Sequence, residues 1–413
     1  MIRPAQPSSP EARLRRIQEL LDGPTGPREE REIVEILEAS DSASLDHVMA
    51  RVDLDQLFGD VDDHAWAGKY KTRLLGHLSG PRLEELSVEN RRRMVDALQR
   101  GITTPLEESA AAAVLLGTRG TDLTALKNGI DGGGDQRDLQ QLVYHDMDDP
   151  ANRASLLAHF REEARLHPSG ELKVLSDIDD TFYVNWKDRR YPEGTVYPGV
   201  RQYYRELDRA NWQGTEPREG DMAFLTARPG DFLGLVKKRA LRDLHERGLE
   251  EVTVLTGDFW SLVGPERMAR KKVQNFQEYR ALFPEYGFCF TGDSGQADPR
   301  VGELMLEAAP EAVRGVFIHD VVATPEARRQ GFRSRGIHFF DTYVGAALEA
   351  RDRGMLTLEA VRRVAEAALR ELPEIPFASP ALRSEREAEF RRDVERLNLL
   401  LPPGERLGLP GAA

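Results

Sequence analysis

The sequence predicts an α/β protein in which a parallel β-sheet is flanked by helices, with an all-helical region before the sheet and further helices after it. Two observations carry this prediction. From about residue 171, short runs that are apolar on both faces alternate with helical stretches, as in a parallel sheet covered by helices. Before residue 165 the chain has helix caps, prolines at helix starts and glycine stops, but no alternating strand pattern of any length.

The N-terminal region, residues 1–165, has clear helix starts. Thr104-Pro105-Leu106-Glu107 is a capping box with proline at the first helical position. Ser87 is placed to cap the helix that begins at Val88. Asp149, just before Pro150, predicts the start of another helix. The three arginines Arg91–Arg93 are expected on the exposed side of their helix. We find no residues in this region whose pattern indicates chemistry.

The sheet region is expected to begin near residue 166. Its strands are predicted at 173–177, 222–227, 252–257, 288–293, 316–321 and 337–342, with helices at 200–207, 232–246 and 272–282. Two more helices are expected after the last strand, one around Val361–Ala368 and one from about Ser384 to Leu400. The expected domains are therefore a helical region (1–165), a domain built on the sheet (166–345) and a C-terminal helical extension (346–413).

Composition narrows the class of protein. The chain of 413 residues has 70 acidic and 57 basic side chains and a net charge of −13, which argues against a nucleic-acid binder. No apolar run approaches the roughly 20 residues needed to span a bilayer. The first residues lack the apolar stretch of a secretory signal, and the single cysteine, Cys289, is typical of a reducing compartment. We expect a cytoplasmic protein, with peripheral membrane contact if its substrate is a lipid.

Polar side chains follow the predicted strands at the point where each strand ends. The stretch VLSDIDDT ends in Asp177, Asp179, Asp180 and Thr181, and the later strand ends and the adjoining helix add Thr226, Lys272, Asp293 and Asp298. In a parallel sheet these strand ends share one edge, so the side chains are expected to lie together. Several carboxylates in one place repel unless a divalent cation holds them. Hard oxygen ligands suit Mg²⁺, and a hydroxyl and a lysine beside it would cradle a phosphoryl group.

These motifs resemble those of a known family. The strand end D-x-D-x-T at 177–181, then Thr226, Lys272 and Gly292-Asp293 with Asp298, is similar to the motif set of the haloacid dehalogenase (HAD) superfamily of phosphatases. "SDIDDT", "YPGV" and "FTGDSGQADP" further resemble the catalytic domain of the actin-patch-type phosphatidate phosphatases, over about residues 171–322. The resemblance implies a HAD-like Rossmannoid sheet and makes residues 166–345 the catalytic domain.

The resemblance also implies catalytic roles. Asp177 would be the nucleophile that forms an aspartyl phosphate, and Asp179 would protonate the leaving oxygen and then activate water. Thr226 and Lys272 would hold the phosphoryl oxygens. Lys271 is the adjacent alternative, but the spacing to the following phenylalanines favours Lys272.

The same resemblance implies a Mg²⁺ site. Its ligands would be the carboxylates of Asp177 and Asp293 and the backbone carbonyl of Asp179. Asp298 would bind through water or orient Asp293 and Lys272. No organic cofactor is expected.

The predicted function is Mg²⁺-dependent hydrolysis of phosphatidate or a related phospholipid monoester. The alternatives are a HAD phosphatase for a soluble or protein-borne phosphate, and a phospholipid-binding module without turnover. The segment 182–197, with Trp186, Lys187, Arg189 and Arg190, is interpreted as a flap over the site that contacts an anionic headgroup or the membrane surface. The alternative for this segment is a solvated flap with one packed tryptophan.

Overall fold

A computed structural model of the chain describes residues 9–100, 104–131, 138–210, 222–229, 235–249, 252–257 and 264–409, except for the side chains of 226–229, 235–238, 252, 256 and 257. The chain forms two compact units. The first consists of Met1–His167 with Ala281–Phe283, and the second of Pro168–Arg280 with Pro284–Ala413. Among the described residues, no helix is long and apolar enough to cross a membrane.

The first unit is built from helices. They are α1 (Pro10–Leu21), α2 (Pro27–Glu38), α3 (Ser42–Met49), α4 (Leu54–Asp60), α5 (Tyr70–Leu78), α6 (Val88–Leu98), α7 (Pro105–Gly117), α8 (Gly120–Asp131) and α9 (Pro150–Leu166). A small antiparallel pair, β1 (Asp63–His64) and β2 (Gly68–Lys69), joins α4 to α5. The predicted caps are confirmed: Thr104 and Glu107 form a reciprocal capping box at α7, and Ser87 and Asp149 cap α6 and α9.

The expectation that Arg91–Arg93 lie on the exposed side of their helix is wrong for Arg91 and Arg93. Arg91 is buried and its Nε donates to the carbonyl of Leu86 at 3.0 Å, while Arg93 donates to the carbonyls of Met49 and Val52. Carbonyls at the end of a helix have no partner within that helix, and Arg93 of α6 donates to those at the end of α3 and just after it. Arg91 and Arg93, which the sequence suggested were solvated, therefore hold α6 against neighbouring segments of the first unit.

The second unit contains the parallel sheet. Its strands are β3 (Leu172–Ser176), β4 (Met222–Pro229), β5 (Val252–Gly257), β6 (Gly287–Asp293), β7 (Val313–His319) and β8 (Ile337–Phe340), in the order β5-β4-β3-β6-β7-β8. Each neighbouring pair is parallel. The helices are α10 (Val200–Asp208), α11 (Leu235–Glu246), α12 (Pro265–Leu282), α13 (Asp298–Ala308), α14 (Glu326–Arg333), α15 (Tyr343–Asp352), α16 (Leu358–Glu371) and α17 (Pro380–Asn398). The predicted α/β fold with a parallel sheet and a helical N-terminal region is confirmed.

Between the last strand and residue 409, the structure has three α-helices rather than two. The sequence analysis missed α15, in which seven of the ten residues are buried. A helix covered on nearly all sides has no polar face, so it lacks the amphipathic period by which helices are recognised. α12 also begins earlier than expected, at Pro265 rather than near residue 272.

The C-terminal helices share one hydrophobic core with the sheet. Val174 and Phe224 of the central strands belong to the same buried cluster as Val364 of α16 and Phe390 of α17. At the start of α10, Gly199 has φ of 84°, and a Cβ there would lie 3.0 Å from Ala368 Cβ. A glycine is required because the turn is left-handed and α16 packs directly against it.

Candidate active site

The two central strands deliver the first two acids. Asp177 directly follows β3, and its backbone N–H donates to the carbonyl of Thr291 in β6 at 2.9 Å. Asp293 is the last residue of β6. Because β3 and β6 are hydrogen-bonded neighbours running in the same direction, both carboxylates emerge at the same edge. Asp177 is 4% exposed and Asp293 is fully buried.

Lys272 on α12 connects this edge to a third acid. Its Nζ lies 2.8 Å from Asp177 Oδ1 and 2.6 Å from Asp298 Oδ1. The other oxygen of Asp298 accepts the backbone N–H of Asp293 at 3.2 Å. Lys271, the alternative considered from sequence, instead lies near Gln274 on the exposed side of the helix. The structure therefore brings Lys272 to the carboxylates.

Three of these carboxylates could hold a metal ion. Asp177, Asp293 and Asp298 each offer an oxygen, and these oxygens all lie within 4.8 Å of one another. With Lys272 as the neighbouring cation, three ionised acids leave two negative charges uncompensated in a buried place. Such a charge balance suits a divalent cation with oxygen ligands.

The shifts in pKa at the site agree with this excess of negative charge. The pKa of Asp177 is raised to about 7, mainly by burial; the charge of Lys272 opposes this rise, and the charges of Asp298 and Asp179 contribute to it. Burial, together with the charges of Asp298 and Asp177, also holds the pKa of Asp293 well above its usual range. Lys272 has a raised pKa, because the charges of the two aspartates outweigh the effect of its burial. The site therefore favours positive charge, as protons or as a cation.

Gly292 makes the close approach of Asp298 possible. A Cβ at this position would lie 2.5 Å from Asp298 Cβ and 2.6 Å from its Oδ2. No ordinary side chain fits there without displacing the carboxylate from Lys272. Asp293 is held in turn by the N–H of Gly295, which donates to its Oδ1 at 2.7 Å.

The three aspartates of the DIDD stretch have different partners. Asp179 is half-buried and its Oδ1 accepts from Asn185 Nδ2 at 2.7 Å. Asp180 is fully buried, has φ of 59°, and accepts the backbone N–H groups of residues 185–188 at 2.5–3.3 Å. Asp180 therefore shapes the loop and lies outside the group of acids that could share an ion.

The segment 182–197 is only partly the flap that was expected. Asn185, Trp186, Lys187 and Arg189 are exposed, and Lys187 Nζ lies 5.0 Å from the centre of the Trp186 ring. The expectation that Arg190 contacts a headgroup is wrong, because its guanidinium forms a bidentate pair with the buried Asp188 at 2.9–3.0 Å. The remainder of the segment packs into the core through aromatic side chains, namely Phe182, Tyr183, Tyr191 and Tyr197.

Thr226 lies in β4, next to β3, but its side chain is outside the described part of the structure. The role of Thr226 as a phosphoryl ligand thus stays a prediction.

Two buried residues at the end of β7 were missed. Asp320 accepts from Ser294 Oγ at 2.8 Å and from Arg329 Nε at 2.9 Å, and so holds the loop that follows Asp293. His319 contacts the loop after β3 through the carbonyl of Asp180 at 3.3 Å. The signal that found the other acids, a polar residue at the end of an apolar strand, was present in FIHDV as well.

A parallel α/β sheet with buried acids and one lysine at the carboxyl ends of its central strands is the architecture of an enzyme domain whose ligand lies at that edge. Residues 172–320 match the family model described as "Phosphatidate phosphatase APP1, catalytic domain". This match confirms, for residues 172–320, the resemblance that the motifs indicated, and the matched domain is that of a phosphoric monoester hydrolase. No curated protein and no solved structure matches the chain.

The raised pKa of Asp177 predicts a pH-dependent effect on stability. The folded value of about 7 lies above the ordinary 3.8, so ionising Asp177 destabilises the metal-free fold. This penalty is absent below about pH 4 and complete above about pH 7. Asp177→Asn, which removes the ionisation, should therefore raise the thermal unfolding midpoint at pH 8 and leave it unchanged at pH 4. Circular dichroism in EDTA measures both midpoints, and an equal difference at the two pH values would contradict the prediction.

Proposed function

We propose that this protein is a Mg²⁺-dependent phosphatase that hydrolyses phosphatidate or a related phospholipid monoester through an aspartyl phosphate. The observation that carries the proposal is the contact of Lys272 with both Asp177 and Asp298, beside Asp293, inside the matched catalytic domain. Phosphoryl transfer depends mainly on positioning and charge neutralisation, and this group of side chains supplies both.

Asp177 is the proposed nucleophile. Its carboxylate oxygen forms a bond to phosphorus while the bond to the leaving oxygen breaks, and Asp179 gives that oxygen a proton. Water then attacks the aspartyl phosphate, transfers a proton to Asp179 and releases phosphate and free Asp177. Lys272 is within 2.8 Å of Asp177, where its charge would hold an oxygen of the transferring group. Thr226, at the neighbouring strand, is proposed to hold another.

Mg²⁺ is the proposed cation, held by the carboxylates of Asp177 and Asp293 and the backbone carbonyl of Asp179. When bound it would neutralise charge on the phosphoryl oxygens. Both oxygens of Asp298 already accept hydrogen bonds, from Lys272 Nζ and from the backbone of Asp293. This favours an orienting role for Asp298 over direct binding of the ion.

The lipid assignment is supported by the family match and by the exposed side chains beside the site. Trp186 is 59% exposed, and the backbone N–H of Lys187 donates to Asp180, next to the proposed acid/base. Trp186, Lys187 and Arg189 are therefore placed to meet a headgroup or a membrane surface, where charge acts within a Debye length of about 8 Å. We place the protein in the cytoplasm, in peripheral contact with a membrane.

We further propose that residues 166–345 are the catalytic domain, that 346–413 support its sheet, and that 1–165 regulate or target it. Every proposed catalytic residue lies after residue 170. The alternative of a binding module without turnover is disfavoured, because a binder has no need of both Asp177 and Asp179.

Covalent catalysis predicts that Asp177→Asn abolishes turnover while the fold persists. Asp179→Asn should lower kcat by about 10²–10⁴, the usual contribution of a general acid–base. Phosphate release measures both, and the exposed Asp62→Asn in the first unit is a matched control that should behave as wild type. Full activity of Asp177→Asn would rule out the nucleophile assignment.

Metal dependence is the second expected property. EDTA should silence the enzyme and Mg²⁺ should restore it, whereas Ca²⁺ should restore little because it prefers more ligands and looser geometry. Asp293→Asn should not recover at the Mg²⁺ concentration that restores wild type. Undiminished hydrolysis by rigorously metal-free protein would refute the proposal.

The lipid substrate predicts faster hydrolysis of phosphatidate in mixed micelles than of a soluble phosphomonoester. Replacing Trp186 and Arg189 together by alanine should weaken the lipid reaction several-fold and leave the soluble ester nearly unaffected. Trp66→Ala is the matched control, since Trp66 is a fully exposed tryptophan of the first unit. If the soluble ester is the better substrate, or both reactions fall equally in the double variant, the substrate is a soluble or protein-borne phosphate instead.

A further inference from the structure

A connected set of buried polar groups lies behind the loop that carries Asp179. It runs from Asp188 through Arg190 and His319 to the backbone carbonyl of Asp180. Its parts come from the segment after β3 and from the end of β7, 129 residues apart at the Arg190–His319 contact. A buried polar network of this kind rigidifies its surroundings when every member has a partner.

The first link is an ion pair with fixed geometry. Asp188 is 3% exposed and accepts Arg190 Nε at 3.0 Å and Nη2 at 2.9 Å. It also accepts the hydroxyl of Tyr197 at 2.8 Å and the backbone N–H of Arg190 at 2.8 Å. A bidentate pair with these additional donors leaves the guanidinium one orientation.

The second link assigns the protons of His319. Arg190 Nη2 lies 3.2 Å from His319 Nε2, and a guanidinium only donates, so Nε2 is the acceptor. The ring proton is then on Nδ1, which donates to the carbonyl of Asp180 at 3.3 Å. Phe340 stacks on the ring at 5.1 Å and Tyr197 meets it edge-on at 4.4 Å, so the imidazole is held in place on its faces as well.

The third link is Asp180 itself, whose backbone is strained. It has φ of 59°, in the left-handed region that few residues other than glycine adopt. Its carboxylate is fixed by the N–H groups of 185–188, its own N–H donates to Tyr183 at 2.8 Å, and its carbonyl accepts from His319. Every polar group of Asp180, the residue after Asp179, therefore has a hydrogen-bond partner that fixes the backbone at this point.

His319 also reaches the other side of the site. Its backbone carbonyl accepts the N–H of Ser294 at 2.9 Å, directly after Asp293. One residue thus contacts the loop of the proposed acid/base through its side chain and the loop of the proposed metal ligand through its backbone.

We propose that His319, oriented by Arg190 and Asp188, is a positioning residue that sets the orientation of Asp179 for proton transfer. The inference rests on the proposed function, because Asp179 is there the general acid. It assigns a role in the reaction to groups that do not touch the substrate. The hydrogen bond from Nδ1 to the Asp180 carbonyl is the contact through which they act.

Two substitutions of His319 separate this contact from mere packing. His319→Asn carries an amide nitrogen at the place of Nδ1 and keeps the donor to Asp180. His319→Gln carries its amide at the place of Nε2, so it keeps the contact with Arg190 and loses the donor. Each variant is assayed with Mg²⁺ on a soluble alkyl phosphate, whose leaving oxygen needs a proton, and on p-nitrophenyl phosphate, whose leaving group hardly needs one.

The expected result is a kcat for the alkyl phosphate that falls about 10–100-fold more than that for p-nitrophenyl phosphate in His319→Gln, with KM little changed. His319→Asn should remain close to wild type on both esters. Arg190→Lys repeats the comparison without altering β7 and should show the same selective loss, which keeps the test decisive if His319→Gln does not fold. Equal losses on the two esters, or no loss, would overturn the proposal.

Asp179→Asn is the reference for the selective loss. If it shows the loss and the His319 and Arg190 variants do not, the positioning role is wrong and the proposed chemistry stands. If Asp179→Asn lacks it, Asp179 is not the general acid, and the proposed function fails together with this inference.

Discussion

The ion pair network of Lys272 is the interaction on which the rest of the site depends. Three carboxylates buried at one sheet edge repel one another, and desolvation penalises each of them. Lys272 touches two of the three, so replacing Lys272 would leave their buried charges uncompensated, a change that typically costs about 3–5 kcal/mol. Lys272 is a buried residue of the long helix α12, which holds its ammonium group at the strand ends.

The fold was predictable because its signals are local. Strands apolar on both faces identify a covered parallel sheet, and the residue after each strand must then lie at one edge. That reasoning alone brings Asp177 and Asp293 together, and the structure has both in one buried group with Asp298. Lys272 lies in α12 and was singled out by the family resemblance, and the structure places it against Asp177. Reasoning from local signals failed for α15, because a helix buried on almost all sides carries no period, and for the start of α12, where polar residues precede the apolar stripe.

The misjudged residues are basic ones that look like surface. Each of them contacts a group that is distant in sequence: Arg91 contacts the hydroxyl of Thr118, Arg93 the carbonyls of Met49 and Val52, and Arg190 the ring of His319. An arginine has five donors and a long apolar stem, so it can be enclosed wherever acceptors are left without partners. The sequence shows the donor but not the distant acceptor. An arginine in a charged run therefore cannot be assumed to be exposed to solvent.

Asp180 shows that an acid in a motif can fix the conformation of a loop without joining the group of carboxylates at the site. The turn after β3 needs a left-handed residue, which would favour glycine, yet glycine has no carboxylate to collect the four N–H groups of 185–188. Aspartate tolerates the left-handed region better than most side chains and provides that acceptor. The strain persists because the hydrogen bonds around Asp180 over-determine its conformation. The loop that presents Asp179 is therefore held in shape by its neighbour Asp180. The DIDD stretch thus contains two acids that we propose to be catalytic, Asp177 and Asp179, and one that fixes the backbone around them.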